Sequence, residues 1–134
     1  MRNSARAVII CDGKVLTMFR RLKNKDGSMK EYYVLPGGGI EEDETMEQTV
    51  VRELKEEMNL DIKIIEYLGK EFVEGRGENN FFHCEIIGNT IPQLSGEELE
   101  KVCPENYYEP MYINLAELKN INLYAKEFVY KVKQ

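Results

Sequence analysis

One stretch of this 134-residue chain carries the period of a helix, and most of what surrounds it carries the period of strands. Met46, Val50, Leu54 and Met58 return every fourth residue, an apolar stripe for a helix over 46–58. Thr45 and Gln48 stand at capping-box spacing before it, and Asn59, tolerant of left-handed backbone, closes it. A chain with one such helix among β-rich runs can bury them only as a layered α/β domain.

The β-rich runs are legible from their punctuation. Residues 5–11 and 14–20 flank Asp12-Gly13, a pair suited to a two-residue hairpin turn, and both runs are apolar on both faces, as in strands at the centre of a covered sheet. Residues 23–30 read as a polar loop, and 31–35 as a short strand stopped by Pro36 and the glycines Gly37, Gly38 and Gly39. Residues 61–74 and 80–88 read as antiparallel neighbours around a turn at 75–79. Residues 89–108 form a long polar loop, Met111–Ile113 a last short strand, and Asn114-x-x-Glu117 the start of a C-terminal amphipathic helix carrying Phe128, Val129 and Val132. The expectation is one domain over residues 1–134, a mixed sheet covered on two sides.

Composition narrows the chemistry. The net charge of −6 and a pI near 5 speak against a nucleic-acid polymer as partner. Cys11, Cys84 and Cys103 include no C-x-x-C pair and His83 is the single histidine, so neither a disulfide framework nor a zinc site is indicated. The first apolar run, Ala7 to Cys11, is too short for a signal peptide or membrane span, and a reduced, cytoplasmic setting without membrane contact is expected. The charge is unevenly spread: residues 41–57 hold eight acids and two bases, whereas residues 1–30 hold eight bases and two acids.

Glu53, Glu56 and Glu57 are spaced i, i+3 and i+4 on the helix, which puts all three within an arc of roughly 100° and leaves Lys55 on the other side. Like charges at these spacings cost a few tenths of a kcal/mol per pair, so a cation is expected there. Carboxylate oxygens suit Mg²⁺ or Mn²⁺, which keep positions for water and substrate phosphates. The alternative is a solvated acidic face. Gly37–Gly39 upstream, which lets backbone approach a ligand, and Arg52, placed to orient a carboxylate, favour the ligand site.

The stretch Gly38 to Leu60 resembles the Nudix box, G-x5-E-x7-R-E-U-x-E-E-x-G-U with U aliphatic. It agrees at Gly38, Glu44, Arg52, Glu53, Leu54, Glu56, Glu57 and Leu60, with Asn59 in place of the last glycine. The resemblance implies an α/β/α sandwich in which the box forms a catalytic loop-helix-loop, and metal-dependent hydrolysis of a phosphoanhydride in a substrate built on a nucleoside diphosphate. It implies Glu53, Glu56 and Glu57 as metal ligands with the Gly37 carbonyl, and Glu53 as the first candidate for activating water. Arg52 orients the carboxylates in that reading. Glu97, Glu98, Glu105 and Glu109 are candidates for a glutamate supplied by a later loop.

Arg6 and Arg20 on the first two strands are candidate phosphate contacts, with surface salt bridging as the equal alternative. Gly38, Gly39 and Glu44 belong to the expected substrate-binding surface, Glu44 acting through the helix N-terminus or its loop. Tyr32, Tyr33, Phe81 and Phe82 are either base-stacking or core residues, with core favoured, and Tyr107 and Tyr108 are weaker candidates. Downstream signals typical of the ADP-ribose, diadenosine-polyphosphate and NADH groups of the family are absent. That leaves a nucleoside triphosphate, ordinary or oxidised, giving the monophosphate and pyrophosphate. A nucleotide sugar, ADP-ribose or a non-hydrolytic sensor role are the alternatives, and a monomer or homodimer is expected.

Overall fold

A computed structural model describes residues 2–89, 91–94, 103 and 105–133. The Asp12-Gly13 turn forms with both residues at positive φ, as a two-residue hairpin turn requires, and joins β1 (Ser4–Cys11) to β2 (Lys14–Lys23). The two strands pair only at Ile10–Val15 and Cys11–Lys14 and then diverge. β1 continues into a leaf ordered β4-β1-β6-β5, with β4 (Gly37–Gly39), β5 (Ile62–Val73) and β6 (Gly77–Ile86). β2 continues into a second leaf, flanked by β3 (Met29–Val34) and β7 (Asn106–Asn114). The β1–β6 pairing is parallel, which makes the seven-stranded sheet mixed.

Alternation along β1 explains how this sheet is covered twice. Ala5, Ala7 and Ile9 face one core with Val50, Leu54 and Met58 of α1 (Met46–Met58). Val8 faces the other, with Phe81, Leu118, Phe128 and Val129 from the C-terminal segment. Phe81 and Phe82 are both buried, one in each core. The expected sandwich is therefore present, and α1 begins and ends where its caps place it. Thr45 and Gln48 form both bonds of the capping box, and Asn59 is left-handed at φ 55°. Glycine is not required there, since asparagine tolerates that conformation.

Three boundaries differ from the sequence expectation. The glycine run does not merely stop β3: Gly37, Gly38 and Gly39 pair with Arg6, Ala5 and Ser4 as an antiparallel strand. β7 starts at Asn106, so Tyr107, Tyr108 and Glu109 lie on a strand paired along β2, not in a loop. The C-terminal amphipathic helix is broken. Asn114 makes no side-chain cap bond, and Leu115–Asn120 form a 3-10 helix. The chain then extends so that Asn122 and Tyr124 bond the backbone of Tyr33, turns through Ala125 at φ 63°, and forms α2 (Glu127–Tyr130). The backbone pairing to β3 displaces the helical ladder over that stretch.

Candidate active site

Arg52 organises the loop-helix-loop. Its Nε and Nη2 donate to the two oxygens of Glu44 at 2.7 and 2.9 Å, Nη1 donates to Glu53 at 2.9 Å and to Glu56 at 3.2 Å, and Nη2 also donates to the Gly39 carbonyl at 3.1 Å. All five guanidinium N–H donors are used within the protein. These bonds tie β4, the following loop and α1 into one unit.

Glu44, expected on the substrate-binding surface, has its carboxylate occupied on the protein side. Besides Arg52 it accepts from the Thr49 hydroxyl at 2.6 Å and the Glu41 amide at 3.0 Å. Those bonds, led by Arg52, hold its pKa down at about 2 and push that of Arg52 up. The Glu44 carboxylate thus faces Arg52 and its own loop.

Glu53 lies directly against the β4 backbone. A Cβ built on Gly38 would sit 2.5–2.8 Å from the Glu53 carboxylate atoms, closer than side chains tolerate, so the approach depends on glycine. Glu57 faces a cleft of about 320 Å³ whose wall also includes Gly37, Arg6, Arg20, Arg76 and Tyr108. Glu53 and Glu57 both act on Arg6, raising its pKa against the stronger lowering by burial. Arg6 donates to the Leu35 carbonyl at 2.8 Å. Glu56 is more exposed and turned toward Arg52.

Among the described residues no three acids converge on one point that could hold a metal ion. The donor set nonetheless fits a hard divalent cation. Glu57 and Gly37 line the cleft, Glu53 lies against the adjoining Gly38 backbone, and Mg²⁺ needs only one or two carboxylates beside water and phosphate.

The same cleft is also lined by cations and aromatic rings. Tyr32 stacks on Tyr124 with ring centroids 5.0 Å apart. Lys30 lies over both rings, and Arg20 lies 4.5 Å over Tyr108 while donating to its hydroxyl at 2.7 Å. Arg20 Nε is buried without a hydrogen-bond partner. Tyr33 packs on Phe19, and His83 is half-buried on β6. Of the later glutamates, Glu105 pairs with Lys23 at 3.4 Å, Glu109 sits opposite Phe19 on β7, and Glu97 and Glu98 lie outside the described residues. Sequence reading missed Lys30, Arg76 and Tyr124 as cleft residues, because the first two lie in turn-like segments and the third in what read as helix.

The family model described as "NUDIX domain" matches residues 1–130. The chain belongs to the Nudix family. This Nudix domain is 41% identical over 95 residues to the 8-oxo-dGTP diphosphatase of Proteus vulgaris, a match covering 67% of the chain and 82% of that protein. It is 42% identical over 62 residues to the ADP-ribose pyrophosphatase of Methanocaldococcus jannaschii, covering 46% of the chain and 34% of that protein. Three of the curated relatives are matched over only 28%, 34% and 56% of their length. The fold is shared with the crystal structure of a MutT Nudix hydrolase from Burkholderia pseudomallei, at a TM-score of 0.69, 20% identity and 98% coverage of both chains. No helix among the described residues is long and apolar enough to cross a membrane.

Proposed function

We propose that this Nudix domain hydrolyses a phosphoanhydride in a nucleoside diphosphate-linked substrate, and that the substrate is a nucleoside triphosphate, ordinary or oxidised, released as monophosphate and pyrophosphate. The observation that carries this is a cleft lined by Glu57 and Gly37 together with Arg6, Arg20, Lys30 and Arg76, with Glu53 held against the neighbouring Gly38 backbone. The carboxylates suit a cation and the bases suit a polyphosphate.

The reaction places the oxygen of water on phosphorus, breaks the bond from that phosphorus to the bridging oxygen, and gives up one proton. A divalent cation, Mg²⁺ or Mn²⁺, bound by Glu53, Glu57 and the Gly37 carbonyl with Glu56 alongside, would neutralise phosphate charge and acidify water. Glu53 is the proposed proton acceptor, because Arg52 fixes one of its oxygens at 2.9 Å and the Gly38 backbone confines the carboxylate. Arg52 and Glu44 are positioning residues. Arg6 and Arg20 hold phosphate, and Tyr32, Tyr108 and Tyr124 line the part of the cleft assigned to the nucleoside.

The name of the Proteus vulgaris relative supports a triphosphate. That of the Methanocaldococcus jannaschii relative favours ADP-ribose as the second reading. Phosphorus NMR of reactions with Mg²⁺ over a panel of nucleoside triphosphates, nucleotide sugars and ADP-ribose separates them. Monophosphate plus pyrophosphate from a triphosphate supports the first. Turnover of ADP-ribose alone supports the second, and no turnover on any member overturns both.

A further inference from the structure

Arg6 and Arg76 border two cavities at once. One is the tyrosine-lined cleft. The other, of about 250 Å³, lies along the N-terminal end of β1 and is lined by Arg2, Arg6 and Arg76 with Ser4, Gly39 and Asn79. No acid lines this second cavity. Arg2 donates to the carbonyls of Gly39 and Ile40, and Arg6 to that of Leu35. The carboxylates that act on Arg6, Glu57 and Glu53, do not line this second cavity. Arg76 makes no side-chain hydrogen bond to any described residue.

The backbone fixes Arg76 in place. It stands at the tip of the β5–β6 hairpin between Gly75 at φ 83° and Gly77 at φ 102°, with its amide bonded to the Val73 carbonyl at 2.9 Å. A Cβ on Gly77 would meet Asn3 Oδ1 at 2.8 Å, so the turn lies against the N-terminal segment that holds Arg2 and leads into β1 with Arg6. Arg76 and Arg20 both act on Arg6 as like charges. Glu57 and Glu53 also act on Arg6, but no acid lines the second cavity, and the excess of three cations there is relieved by an anion. A third neighbouring cavity also includes Arg6 and Arg76, but Glu71 and Glu74 line it, which disfavours phosphate there.

We propose that Arg2, Arg6 and Arg76 form an anion trench that takes the leaving phosphates of the substrate, with the nucleoside on the tyrosine side, so that Arg76 selects a leaving group made of phosphate alone. This rests on the hydrolase reading above and sharpens it. A pyrophosphate leaving group brings two phosphates to the guanidiniums, whereas a sugar phosphate brings one phosphate and a neutral ring.

The test is calorimetric titration of inorganic pyrophosphate, and separately of a nucleoside monophosphate, into the parent, Arg76→Gln and Arg76→Lys. It is paired with kcat/KM on a triphosphate and a nucleotide sugar. The expected result is a loss of about tenfold or more in pyrophosphate affinity for Arg76→Gln, as for a lost charge-assisted bond. Monophosphate affinity should stay unchanged, Arg76→Lys should recover part of the loss, and the triphosphate-to-sugar ratio should fall. Equal weakening of both ligands, unchanged pyrophosphate binding, or a parent that does not bind pyrophosphate overturns the trench. A parent that binds pyrophosphate through Arg76 yet turns over no nucleotide retains the trench and overturns the hydrolase reading instead.

Discussion

Gly38 and Glu44 show how contacts within the protein shape the carboxylates of the site. A side chain at Gly38 must push the Glu53 carboxylate away, since the added carbon would sit 2.5 Å from its carboxyl carbon. Gly38→Ala is therefore expected to lower kcat by about 10²-fold, the scale of a misplacement near 1 Å, with the circular dichroism spectrum of the parent retained. Glu44 carries a pH signature. Its folded pKa of about 2 lies below the ordinary carboxylate value of 4.5, so its stabilising contribution is fully present above about pH 4.5 and is lost as pH falls through 2. Urea unfolding of the parent and Glu44→Gln should show a constant stability gap from pH 5 to 8 that narrows progressively below pH 4.5 as the carboxylate takes up its proton. A gap that persists unchanged to pH 2 would contradict the role assigned to the Arg52–Glu44 pair.

At the scale of elements, α1 was the most legible part of the chain because its start, stripe and stop are all local chemistry. Thr45→Ala removes one cap bond and is expected to cost about 1 kcal/mol in chemical denaturation. Turns made by Asp12-Gly13 were legible for the same reason. The C-terminal segment was not, because its helical spacing competes with a backbone pairing between residues 122–124 and Tyr33 that is distant in sequence. β4 was likewise hidden: glycines carry no strand propensity, and only the open edge of β1 recruits them. That pairing is what brings Gly38 against Glu53.

Across the whole molecule, Glu57 from the acidic segment 41–57 and Arg6 and Arg20 from the first two strands come together in one cleft. The carboxylate side of the site was legible because its residues are neighbours on a helix. Arg76, Lys30 and Tyr124 were not, since they reach the cleft from three separate turns and termini of strands. A cation bound by the carboxylates should raise the thermal midpoint by mass action, so Mg²⁺ titration is expected to stabilise the parent and to have a weaker effect on Glu57→Gln, followed by calorimetry.

In the proposed mechanism Glu53, confined by Arg52 and Gly38, takes part in the hydrolytic step itself. Its most direct test is kcat of Glu53→Gln with Mg²⁺ on the best substrate of the nucleotide panel, with folding verified by the thermal midpoint. A fall of about 10²- to 10⁴-fold at a near-parental midpoint is predicted. A folded variant with parental kcat would contradict the account.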